Sequence, residues 1–80
     1  MSKFEKLLTK MLACPADFTY MELRTILKYM GYKEIEGVGS RVCFKKDVHK
    51  IKLHKPHPGK ILKRYQIRLI IDELKKEGLL

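Results

Sequence analysis

Apolar residues recur at helical spacing in three stretches of the chain and alternate with polar ones in three more. Phe4, Leu7, Leu8, Met11 and Leu12 share one helical face, and Ser2 with Glu5 has the spacing of a capping box, which satisfies free amides at a helix start. The first helix is expected to end near Ala13, because Pro15 lacks an amide hydrogen and pushes Cys14 out of the helical region. Thr19 and Glu22 repeat the capping pattern ahead of Leu23, Ile26, Leu27 and Met30, and Gly31 closes this second helix as a left-handed cap.

The period then changes from helical to alternating. Residues 33–36, 41–45 and 51–55 read as three short strands, joined through Gly37, Gly39 and Ser40 and through Lys46 to Lys50, short enough for antiparallel hairpins. His49 falls in the second loop and reads as an exposed loop residue. Val42, Phe44, Ile51 and Leu53 point toward a core, so Arg41, Cys43, Lys45, Lys52 and His54 face the other way. Pro56-His57-Pro58-Gly59 ends the last strand. Ile67, Ile70, Ile71 and Leu74 form the stripe of a closing helix capped by Gly78. The expected fold is α+β: a two-layer α-β-β-β-α domain over residues 19–80, with helices on one face of a three-stranded antiparallel sheet. Residues 1–18 form an N-terminal helical extension.

Charge sharpens this picture. The 80 residues hold 18 Lys and Arg against 9 Asp and Glu, a formal net charge of +9, and the excess lies between Arg41 and Arg68, where ten basic residues meet the single acid Asp47. Such segregation suits either a solvated basic face or a polyanion partner, whose counterions are released on binding. A chain this short leaves no room for a cofactor-sized cavity beside its core, so no cofactor is expected. Cys14 and Cys43 are far apart with no Cys-x-x-Cys, so two reduced thiols are expected rather than a disulfide framework or zinc ribbon. No apolar run approaches a membrane span or a signal sequence, so a cytoplasmic protein without membrane attachment is expected.

From Thr19 to Leu80 the chain resembles the HicA family of bacterial type II toxins. The resemblance is carried by Lys28-Tyr29-Met30-Gly31-Tyr32, by Gly37-Val38-Gly39-Ser40, and by Leu53-His54-Lys55-Pro56-His57-Pro58-Gly59 followed by Leu62-Lys63 and the closing helix. It implies a fold like the double-stranded RNA-binding domain, metal-independent endoribonuclease activity on messenger RNA, and neutralisation by a HicB-type antitoxin. Many members place a catalytic histidine directly after the Gly-Ser of the first hairpin or one residue later. Here Arg41 and Val42 stand at those positions.

The chemistry therefore has to come from other residues. Cleaving RNA without a metal needs a base for the 2′-hydroxyl proton, cations for the transition state and an acid for the leaving oxygen, and histidine suits the first and last roles. His54 is a candidate base or a phosphate-binding residue of the sheet face, and His57, held between two prolines, is a candidate base or acid or a structural or RNA-positioning residue. Neither a third ligand nor a carboxylate lies near His54-x-x-His57 in sequence, so no metal site is expected. Arg41, Lys45, Lys52, Lys55, Lys60, Lys63, Arg64 and Arg68 are the candidate RNA-binding residues, the last four set where a helix start offers free amides. The alternative is an RNA-binding module of the same fold without catalysis. A winged-helix DNA binder is disfavoured, because no second recognition helix precedes the last one by a short turn.

Overall fold

In the computed structural model, which describes residues 2–56 and 59–80, the chain forms α1 (Lys3–Leu12), α2 (Tyr20–Tyr29), β1 (Lys33–Glu36), β2 (Arg41–Lys46), β3 (His49–His54) and α3 (Arg64–Lys76). This is the expected α+β order with its N-terminal helix. Ser2 Oγ accepts the Glu5 amide at 3.2 Å, and at α2 the box is reciprocal: the Glu22 amide donates to Thr19 Oγ1 at 3.1 Å and the Thr19 amide to Glu22 Oε1 at 3.0 Å. Gly31 (φ +98°) turns the chain out of α2 in a conformation that a side chain would strain. At the far end the Leu79 amide reaches back to the Leu74 carbonyl at 2.9 Å around Gly78, folding the last residues onto the core.

The three strands pair antiparallel in the order β1-β2-β3. Their second connection is tighter than expected: Lys46 pairs with His49, leaving a two-residue turn of Asp47 and Val48. Asp47 sits at φ +54°, a conformation that Asp tolerates and that suits the twist of a tight hairpin. His49 is thus the first residue of β3 and not a loop residue, which corrects the reading from sequence. Val42, Phe44 and Ile51 supply the sheet's share of one core, met by Leu23, Ile26 and Leu27 from α2 and by Ile67, Ile70, Ile71 and Leu74 from α3. Met11 brings α1 into the same core with no exposed surface, supported by stacking of Phe4 on Tyr29 at 4.2 Å between ring centres.

Strand β1 orients against its hydropathy. Its one apolar residue, Ile35, pairs with Cys43 on the open face and is 48% exposed, whereas Glu34 turns under the sheet toward α2. There Arg24 Nε stands 2.9 Å from Glu34 Oε1, and the Tyr20 hydroxyl donates to Glu34 Oε2. A largely buried carboxylate with one hydroxyl donor and one ion-pair partner offsets its desolvation and outweighs the burial of one isoleucine at a sheet edge. Glu36 follows the same parity and pairs with Lys55.

The α2 cap has a measurable consequence. Burial alone would raise the Glu22 carboxyl, but the Thr19 amide and hydroxyl and the Lys10 ammonium hold it below its ordinary 4.5. A carboxyl lowered in the folded state stabilises fully above its unfolded pKa, and that share is lost as pH falls through the folded value. Thr19→Ala is expected to cost about 1 kcal/mol at neutral pH. Glu22→Gln is expected to flatten the loss of stability below pH 4.5, read from urea midpoints at pH 7 and pH 3.

Candidate functional site

The pairing register lays the outward side chains in rows across the strands. Lys33, Lys45 and Lys50 form one row, Ile35, Cys43 and Lys52 the next, and Arg41 with His54 the third, closed at its far side by Gly37, whose amide donates to the Arg41 carbonyl at 2.9 Å. Five cations therefore share this face with no acidic strand residue among them, because β1 has turned Glu34 and Glu36 beneath the sheet. Arg41, Lys45 and Lys52 were expected here, and Lys33 and Lys50 join them. The centre is a shallow depression of about 470 Å³ lined in part by Ile35, Arg41, Cys43, Lys52 and His54, with Glu36 at its β1 side.

His54 sits at the corner of this face, directly opposite Arg41. The Gln66 side chain of α3 donates to the His54 carbonyl at 3.0 Å, while the next amide, Lys55, donates inward to the Ser40 carbonyl at 2.8 Å. His54 thus directs its main-chain groups away from β2, which makes Arg41–His54 a non-hydrogen-bonded pair, the kind whose side chains approach closest. Ser40 Oγ lies 3.3 Å from His54 Nδ1. When Nδ1–H donates to that hydroxyl, Nε2 carries the lone pair of a general base.

The remaining candidates separate. Lys55 follows the inward parity: its ammonium pairs with Glu36 and lies 5.8 Å from the centre of the Tyr20 ring, so it is removed from the open face. Lys63 and Arg64 are exposed at the start of α3, the helix whose Gln66 holds His54, and Arg68 is exposed one turn on. Lys63 caps α3 without a side-chain acceptor, and no acid lies in the first turn. Lys60 is exposed two residues earlier in sequence than Leu62, and its carbonyl accepts the Tyr20 amide at 2.8 Å. His57 lies outside the described residues.

His49 belongs to a separate cluster on the helix side. Its Nδ1 meets the Tyr32 hydroxyl at 2.6 Å and its Nε2 meets Glu73 Oε2 of α3 at 3.0 Å. An Nε2–H tautomer satisfies both contacts, accepting from Tyr32 and donating to Glu73. Burial raises the Tyr32 phenol, with Glu77 and Glu73 adding to it, and the His49 hydrogen bond, with Lys76 nearby, holds the Glu73 carboxyl low. The ring clamps the β2–β3 hairpin to α3. Continuing the alternation of Leu53 and Ile51 back by two residues was the signal that could have placed it.

Residues 20–79 match a family model described as HicA toxin of bacterial toxin-antitoxin, about three quarters of the chain. No curated protein and no solved structure gives a significant match. Among the described residues, no helix is long and apolar enough to cross a membrane.

The His49 clamp predicts a structural phenotype. His49→Ala leaves the hydroxyl of Tyr32, a residue only 3% exposed, without its partner. The expected cost is about 1–3 kcal/mol in urea unfolding, with the pairing of Arg41 and His54 intact by Hα–Hα nuclear Overhauser contacts.

Proposed function

From a chain that belongs to the HicA family of toxins of bacterial toxin–antitoxin systems, we propose an endoribonuclease that binds and cleaves messenger RNA on the open sheet face without a metal ion. The observation that carries this reading is the Arg41–His54 pair at the corner of a five-cation face that has no acid among its strand residues. Such a face attracts phosphates, and the one carboxylate residue lining its depression, Glu36, is paired with Lys55.

In the proposed step, His54 Nε2 takes the proton of a ribose 2′-hydroxyl, with Ser40 steadying the ring through Nδ1. The freed oxygen attacks the adjacent phosphorus, the bond to the 5′-oxygen breaks, and that oxygen leaves with a proton from a general acid. The products are a 2′,3′-cyclic phosphate and a 5′-hydroxyl. Arg41 and Lys52 stabilise charge on the phosphoryl oxygens, and Arg41 thus works as an electrostatic group where relatives carry a histidine. His57, three residues beyond His54, is the candidate acid. Lys33, Lys45 and Lys50 hold the strand further along, and Lys60, Lys63, Arg64 and Arg68 extend the anion-binding surface around the start of α3. The protein acts in the cytoplasm and is held inactive by a HicB-type antitoxin.

One observation favours a second reading. Arg41 stands where the family pattern has its histidine, so the same face also suits an RNA-binding module without turnover.

Both readings meet in one experiment on purified protein and single-stranded RNA in EDTA. Cleavage is expected, with His54→Ala slower by about 100-fold or more. Cleavage unchanged in His54→Ala would remove that residue from the chemistry, and binding without cleavage by the parent establishes the module. His57→Ala in the same assay decides the acid. The logarithm of the binding constant is expected to fall against the logarithm of salt with a slope of about −3 to −4, and each of Lys33→Ala, Lys45→Ala and Lys50→Ala to reduce that slope by about 0.7.

A further inference from the structure

Strand β3 is an edge of the sheet. The alternation that directs the His54 main chain away from β2 also directs that of Lys52 and Lys50 outward, so among the described residues their amides and carbonyls have no strand to pair with. Beside this edge runs a groove of about 380 Å³ between β3 and α3, with Tyr65, Leu69 and Ile70 along its helix wall. Leu69 is 59% and Tyr65 57% exposed, large apolar side chains next to unpaired backbone.

Such an edge invites another strand, and its side chains determine which kind. A second copy added antiparallel would bring the lysines at 50 and 52 of one chain against those of the other, and like charges directly opposite repel. A segment with acidic residues beside Lys50 and Lys52 is attracted instead. Strand alternation places its intervening side chains on the opposite face, toward Leu69 and Tyr65, where apolar residues fit.

We propose that the outer edge of β3 and the adjoining groove receive an extended segment of the antitoxin as a fourth strand, with acidic and apolar residues in alternation. This rests on the toxin–antitoxin reading and adds to it the place and chemistry of docking. Gln66 already occupies the His54 carbonyl, so the added strand pairs from Lys50 to Lys52 and stops beside His54. It thereby flanks the catalytic corner and sets its carboxylates against two cations of the RNA-binding face. Docking and inhibition become one event.

The test uses a fluorescein-labelled ten-residue peptide of alternating Glu and Val, a control with Lys in place of Glu, and the full chain. The Glu-Val peptide is expected to raise fluorescence anisotropy, to slow hydrogen exchange at the Lys50 and Lys52 amides by about tenfold or more, and to leave the Lys control unbound. Leu69→Asp is expected to weaken the peptide by about tenfold while binding single-stranded RNA as the parent does. Lys52→Pro removes one outward amide without touching the β2 ladder and is expected to weaken the peptide as well. Absence of peptide binding, binding without protection of both amides, or binding indifferent to Leu69→Asp each overturns the proposal. RNA cleavage measured on the same preparations bears on the nuclease reading alone, so the two fail separately.

Discussion

The contact of Glu34 with Arg24 and Tyr20 sets the parity of β1, and the charge of the open sheet face depends on it. Side chains on a strand alternate with period two, so a slip of one residue would bring Ile35 under the sheet and lift Glu34 and Glu36 onto the open face. Two carboxylates would then stand among the lysines of β2 and β3, and the surface that now repels anions nowhere would be neutralised along one strand. The Glu34 side chain is only 12% exposed, yet one oxygen accepts from the Tyr20 hydroxyl and the other lies against the Arg24 guanidinium, which is what allows a charge to be held there. The charge of the open face is thus determined by a contact made beneath it.

The helices were legible because their rules are local. Ser2, Thr19, Gly31 and Gly78 mark boundaries within a few residues of the groups they cap, and the stripes of α2 and α3 went to the core as their spacing implied. Arg41, Lys45, Lys52 and His54 were legible for a related reason: Val42, Phe44 and Ile51 leave no doubt about which side of β2 and β3 is buried. Parity also carried Lys55, a candidate RNA-binding residue by its place in a basic run, to the helix side. Ile35 was illegible because its orientation is decided by partners of its neighbour Glu34, one of them 14 residues upstream. His49 was hidden by Val48, an apolar residue at a turn, 95% exposed and therefore carrying no information about burial.

The N-terminal helix precedes the matched segment, yet the site leans on that end of the chain. Phe18 and Tyr20 exchange main-chain hydrogen bonds with Leu62 and Lys60, at 2.9 and 2.8 Å, in a bridge that holds the approach to α3. Cys14 adds a contact from its thiol to the Arg64 carbonyl at 3.6 Å. Since α3 carries Gln66, and Gln66 holds the His54 carbonyl, the position of the corner histidine is braced from the first twenty residues as well as from the sheet.

Turning two glutamates beneath β1 also makes the molecule electrically two-sided. The lower side mixes signs, with Glu22, Glu34, Glu36 and Glu73 each matched by a cation or histidine, whereas the outward strand rows of the upper side carry one sign only. In the field of a long polyanion such a body experiences a torque before any atom touches. For such a body the rotational search that ordinarily slows the docking of a small patch is shortened, because the field turns the face that carries His54 toward the opposite charge.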